Sequence, residues 1–133
     1  MKNKILIVSA NYYKEISKNL ELGSVNTLQE NDHEYDIINA PGCFEIPYII
    51  KKHINNYIGF VSLGCIIKGD TYHFEIIANE TSRKIMDLSI EYNVPIGFGI
   101  LTCYNLEQAI VRSDINKKNK GQEATLACLQ LLK

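Results

Sequence analysis

Residues 59–75 read GFVSLGCIIKGDTYHFE. The first eight of them, 59–66, form a nearly unbroken apolar run, the pattern of a strand covered on both faces. Gly69 then frees the backbone where the strand ends, and Asp70 or Thr71 can cap a helix. In that helix Ile76, Ile77, Ile85, Met86 and Leu88 mark a long apolar pattern, which Asn93 and Pro95 bring to a stop. A buried strand leading through a glycine loop into a helix is the repeating unit of a parallel sheet. The same unit recurs along the chain. KILIVSA (4–10) precedes a helix marked by Ile16, Leu20 and Leu28. EYDIINA (34–40) precedes one marked by Ile49, Ile50 and Ile54. PIGFGILT (95–102) precedes NLEQ (105–108), an N-cap with glutamine three residues on, and KGQEATLACLQLLK (120–133) closes the chain as a last helix. Such alternation predicts parallel strands, right-handed crossovers and helices on both faces of the sheet. The fold expected is a small doubly wound α/β domain: three layers, with a four-stranded parallel sheet flanked by helices.

The totals agree with one domain over residues 1–133, without internal repeat or linker. Apolar residues make up 46% and charged residues 22%, as in an ordinary soluble protein. A formal charge of −1 gives no electrostatic reason to expect nucleic acid or an anionic membrane as partner. No apolar run approaches the roughly 18–20 residues that a membrane helix needs. The opening MKNKILIVSANYYKE has too short an apolar run for a signal peptide and reads as a first strand, so a cytoplasmic protein is expected. Cys43, Cys65, Cys103 and Cys128 form no C-x-x-C pair and read as small buried hydrophobes, a thiol or metal site being the other reading.

In an open parallel sheet, ligands sit outside the carboxyl ends of the strands. The segments leaving those ends are SANYYKE (9–15), APGCFEIP (40–47), IKGDTYHFE (67–75) and LTCYNLE (101–107). A helix beginning near Thr71 would present free N–H groups and partial positive charge, which suits a phosphate. His73 falls in its first turn. There the positive end favours the neutral imidazole, able to accept a proton, whereas a bound phosphate pulls the other way. The bland alternative is a cap followed by a surface histidine. Tyr12 and Tyr13 either stack on a flat heterocycle or pack on the next helix. Phe98, inside a strand, reads as core. RSDINKKNKG (112–121) reads as a solvated loop unless Arg112 and Lys120 reach a phosphate, and His33 and His53 receive no role. No glycine fingerprint follows the first strand and no P-loop or G-x-S-x-G occurs, which argues against dinucleotides, NTPs and that type of hydrolase.

Together these segments resemble the lumazine synthase family of riboflavin biosynthesis. APGCFEIP is similar to that family's P-G-A-F-E-[IL]-P element, and LGCIIKGDTYHFE (63–75) to its G-x-V-I-[RK]-G-[ED]-T-x-H-[FY]-[DE] element. VPIGFGILT (94–102), EQAIVR (107–112) and NKGQEA (119–124) match three further elements, in order and without gaps. The resemblance covers nearly the whole chain. It implies a flavodoxin-like fold and the condensation of 5-amino-6-(D-ribitylamino)uracil with 3,4-dihydroxy-2-butanone 4-phosphate, yielding 6,7-dimethyl-8-ribityllumazine, phosphate and water. No cofactor and no metal are implied.

By the same resemblance, His73 would relay protons. Tyr12 would stack on the pyrimidine, Cys43, Phe44 and Glu45 would line the ribityl chain, and Cys65, Ile66 and Ile67 would border the ring. Asp70, Thr71, Arg112 and Lys120 would hold the phosphate. Phe98 would close over the ring, with Phe98 and Arg112 supplied by a neighbouring subunit. A homo-oligomer is therefore implied: a pentamer, with a 60-subunit icosahedral shell left open by a short first segment and a loop DINKKNKG (114–121) that lacks an insertion. Tyr13 and Cys43 depart from the usual Asn and Ala, and Lys68 from the more frequent Arg. The alternatives are a flavin- or lumazine-binding or shell protein without synthase activity, and the archaeal type of riboflavin synthase.

Overall fold

The computed structural model describes residues 3–133. Four strands, β1 (Ile5–Ala10), β2 (Tyr35–Ala40), β3 (Gly59–Ile67) and β4 (Ile96–Cys103), form one sheet in the order β2-β1-β3-β4. Every pairing is parallel, with Ile5 opposite both Tyr35 and Gly59, and Phe60 opposite Ile96. This is the flavodoxin-like order, which reverses between β1 and β3. The helices are α1 (Lys14–Glu30), α2 (Ile46–Lys52), α3 (His73–Tyr92), α4 (Leu106–Ser113) and α5 (Lys120–Leu131), with a short 3-10 turn at Cys43–Glu45.

Alternate side chains of the central strands divide the core into two layers, because successive strand residues point to opposite faces. Ile5, Ile7, Val61 and Leu63 meet Ile16, Leu20 and Leu28 of α1, Ala109 of α4, and Ala124 and Cys128 of α5. Leu6, Val8 and Phe60 meet Ile46 and Ile50 of α2 and Ile85 and Leu88 of α3. On the first face α5 lies very close to the sheet: a Cβ at Gly97 would stand 2.1 Å from the Ala124 carbonyl oxygen. Ser24 and Thr125 join α1 to α5 by a buried hydroxyl–hydroxyl hydrogen bond of 2.6 Å.

The helix ends follow the sequence signals in most places. Asn93 takes the left-handed conformation (φ 56°) after α3, and Val94 N–H donates to the Ser89 carbonyl at 3.1 Å, just before Pro95. Asn105 caps α4 by accepting from Gln108 N–H at 2.9 Å, while the Gln108 side chain accepts from Tyr104 N–H at 2.8 Å.

Several expectations are corrected. The α3 cap is neither Asp70 nor Thr71 but Tyr72, without a side-chain bond; Thr71 Oγ1 accepts only a long 3.4 Å contact from His73 N–H. Ile54 lies past the end of α2 and packs on the core from the following turn. Ile76 and Met86 are exposed, and the buried stripe of α3 runs through Thr81, Ile85 and Leu88. Phe98 is not core: it is 44% exposed on β4. β4 is an edge strand, and Phe98 and Thr102 are exposed on it while Ile100 between them is buried in the layer that holds Ile85 and Leu88.

Candidate active site

The carboxyl ends of β1 and β3 open into a pocket of about 630 Å³, within the size range of small-molecule sites. Four segments build it. The β1–α1 turn supplies Tyr12 and Tyr13, and the turn after β2 supplies Gly42, Cys43, Phe44 and Glu45. The end of β3 and its exit loop supply Cys65, Ile66, Ile67, Gly69 and Thr71, and the start of α3 supplies His73, Phe74, Ile76 and Ile77. Parallel strands end on the same side, so segments distant in sequence meet here.

Most residues singled out in the sequence are therefore brought together: Tyr12, Cys43, Phe44, Glu45, Cys65, Ile66, Ile67, Thr71 and His73 all line the pocket. Asp70 is exposed on the loop between two lining residues. Phe98, Arg112 and Lys120 are outside this pocket. The Arg112 guanidinium donates to the Gln108 carbonyl of its own helix at 3.2 Å, and Lys120 pairs with Glu123 at 2.7 Å. Phe74 lines the pocket without having been assigned a role, and so does Tyr13, which the sequence offered with Tyr12 as a stacking ring or as packing on the next helix.

Tyr12 is 74% exposed, and its ring meets that of Tyr13 nearly at right angles, at 4.9 Å between centroids and 84° between planes. Beneath them lie buried thiols. Burial pushes the Cys43 thiol up to about 12, with the nearby Glu45 carboxylate adding to it against a hydrogen bond with the Cys65 backbone. Burial likewise pushes Cys65 up to about 12, helped by the neighbouring Cys103 and Cys43. These groups are neutral near pH 7, so the floor presents uncharged sulfur rather than thiolate.

His73 is the first residue of α3 and is exposed. The first bond of the helix ladder is Ile76 N–H to the Tyr72 carbonyl at 3.2 Å, so the helix begins with N–H groups that no side chain of Tyr72 satisfies. The loop leading into it is anchored at one residue. Lys68 N–H donates to the Cys103 carbonyl at 2.9 Å, and Lys68 Nζ pairs with Glu75 at 2.7 Å and lies 5.6 Å from the centre of the Phe74 ring. That pairing raises the Lys68 pKa, through the hydrogen bond first and the Glu75 charge second, and lowers that of Glu75, through the same hydrogen bond first and then a bond from its own backbone N–H. It also offsets the negative charge of Glu75 in the first helical turn. Among the described residues no three His, Cys, Asp or Glu side chains gather as a metal ion would require, and no helix is long and apolar enough to cross a membrane.

A flavodoxin-like domain whose strand ends hold an aromatic platform, a carboxylate and a helix-start histidine has the build of an enzyme acting on small polar molecules. A family model described as 6,7-dimethyl-8-ribityllumazine synthase matches residues 2–133. Proteins of that name are similar to the chain over almost its full length. The one from Bartonella henselae is 46% identical over 132 residues, covering 96% of this chain and 85% of its own. The one from Novosphingobium aromaticivorans is 45% identical, covering 97% and 94%. The one from Agrobacterium fabrum is 41% identical, covering 98% and 93%. The chain belongs to the 6,7-dimethyl-8-ribityllumazine synthase family.

Proposed function

We propose that this protein condenses 5-amino-6-(D-ribitylamino)uracil with 3,4-dihydroxy-2-butanone 4-phosphate to 6,7-dimethyl-8-ribityllumazine, phosphate and water. Family membership supports the reaction. The observation that carries the site is the meeting of Tyr12, Cys43–Glu45, Cys65–Ile67, Thr71 and His73 in one pocket. Tyr12 would stack on the pyrimidine, and Glu45 would accept from ribityl hydroxyls. The free N–H groups at the start of α3, near Asp70 and Thr71, would receive the phosphate.

The amine of the uracil attacks the ketone, the carbinolamine loses water, phosphate is eliminated, and the second amine closes the ring on the remaining carbonyl with loss of a second water. Each step moves a proton at nearly one place, where a single imidazole can serve as acid and base. His73 is that group. Holding the two reactive partners together contributes at least as much as the relay.

Phe98 and Arg112 would complete the site from a neighbouring copy, with Lys120 a second positive charge near the phosphate, so the working form would be a homo-oligomer, a pentamer in this reading. Its support is their position outside the protomer's pocket, together with exposed Phe98, Met86 and Ile90. The protein would act in the cytoplasm as a single domain over residues 1–133. The test monitors lumazine absorbance and phosphate release with both substrates against a no-enzyme control. His73→Ala is expected to slow turnover by about 10²–10⁴-fold without abolishing it. No acceleration by the unaltered protein, with lumazine still bound, would convert the reading to a binding protein.

A further inference from the structure

One aromatic side chain of the pocket has no part in the proposed chemistry. Tyr13 ends the β1–α1 turn, immediately before α1. Its half-buried ring packs against the core layer beneath α1 and lines the pocket beside Cys43 and Cys65. Tyr57, also half-buried, gives its hydroxyl to Asp36 at 2.8 Å. The Tyr13 hydroxyl has no comparable protein partner among the described residues. Nor is its oxygen sealed away, unlike the partnerless Ser9 and Thr81 hydroxyls.

A half-buried phenol normally finds a hydrogen-bond partner, and the pocket that Tyr13 lines has room for one. Burial first, and then the neighbouring Cys65, push the phenol above its ordinary range. It therefore remains a neutral donor at neutral and mildly alkaline pH. The ring has a second contact of interest, its near-perpendicular meeting with Tyr12. Tyr12 is otherwise largely free, and an exposed ring without backing would sample several rotamers.

We propose that Tyr13 is a further substrate-binding residue, whose O–H donates to an oxygen of the ribityl-bearing heterocycle while its ring, set nearly at right angles to Tyr12, fixes the plane of Tyr12. This rests on the proposed reading of the pocket. One hydroxyl and one ring then do separate work, and two substitutions divide them. Tyr13→Phe removes the donor and keeps the ring; Tyr13→Leu removes both.

The probe is 6,7-dimethyl-8-ribityllumazine itself, titrated into the full-length protein and read by its fluorescence. Loss of one neutral hydrogen bond should weaken binding by about 2–12-fold in Tyr13→Phe. Tyr13→Leu should lose roughly a similar factor more, with less quenching of the bound lumazine because Tyr12 no longer lies flat on it. KM for the phosphate-bearing ketone should be unchanged in both. Lumazine affinity equal to the unaltered protein in both variants overturns the inference. A Tyr13→Phe loss confined to the phosphate substrate overturns it too. If the unaltered protein neither binds nor forms lumazine, the reading of the pocket itself has failed; normal binding with indifferent Tyr13 variants removes only the role of Tyr13.

Discussion

A methyl group added at Gly64 would stand 2.6 Å from Cys43 Sγ and 3.3 Å from Ala10 Cβ. Comfortable carbon contacts begin near 3.5 Å, so the first is short by about 1 Å and the second is merely tight. Gly64 lies in the middle of β3, held between β1 and β4, and has little freedom to retreat. Cys43 is buried at the start of the 3-10 turn that also presents Phe44 and Glu45 to the pocket. Either the thiol is forced toward the pocket or the turn shifts. Overpacking of this kind costs roughly 1–3 kcal/mol. Removing the obstacle by Cys43→Ala deletes one buried heavy atom, at about 1 kcal/mol.

In the double variant the Gly64 methyl occupies space that the sulfur has left. Its loss should fall short of the sum of the single losses by about 1–2 kcal/mol, the coupling expected of two groups in contact. Urea unfolding of the three variants, at one protein concentration so that association does not enter, measures this directly. Lumazine titration should show weaker binding in Gly64→Ala and recovery in the pair, since the same displacement narrows the ribityl side. Additivity within about 0.3–0.5 kcal/mol would refute the contact. It would show that β3 and the 3-10 turn give way independently.

If Arg112 clamps the phosphate from a neighbouring subunit, Arg112→Gln should raise KM for the phosphate substrate far more than for the uracil, and equal changes in both would remove it from that role. Random co-assembly of His73→Ala with Arg112→Gln subunits should then restore about one quarter of the sites, because each site draws the two residues from different copies; activity no higher than the mixture's average would place both in one protomer. Asp36 accepts from the Tyr57 hydroxyl at 2.8 Å and pairs with Lys4 at 3.4 Å, and these lower its pKa, the Tyr57 bond first. A depressed carboxyl contributes stability that is present above the ordinary carboxylate range and lost as pH falls through the folded value. Asp36→Asn should therefore flatten the fall in Tm below about pH 5, whereas superimposable acid limbs would contradict the pairing. With Cys43 and Cys65 pushed up to about 12 and Cys128 to about 11, the native protein should react with iodoacetamide near pH 8 far more slowly than the unfolded chain; labelling of Cys43 or Cys65 at the rate of a free thiol would deny their burial.

β1, β3 and β4 were legible as nearly continuous apolar runs of strand length bounded by turn residues, whereas β2 is a half-buried edge strand with Asp36 and Asn39 in it. Their ends were legible to within a residue, and with them the side of the sheet where a pocket must open. This is why residues as far apart as Tyr12, Cys43 and His73 could be placed in one site from the chain alone. Periodicity carries no information, however, on which strand lies at the edge. Phe98 and Ile100 point the same way from β4 and look alike in the sequence, yet one is exposed and the other lies in the core layer with Ile85 and Leu88 of α3. The same limit applies to α3. Met86 and Ile90 are as apolar as Ile85 and Leu88, but only the latter pair faces the sheet. Apolar residues that mark a helix need not mark the side it buries, because an exposed apolar face is written in the same alphabet as a core. The Phe98 expectation failed for that reason when it rested on strand pattern alone. The motif resemblance, which assigns Phe98 to a neighbour's site, fits an exposed ring. Tyr13 was hidden by a different ambiguity. Nothing in NYYKE says which tyrosine turns outward as a platform and which turns inward beside the thiols; that choice is made by the backbone of the turn and by the sulfur-lined space beneath it.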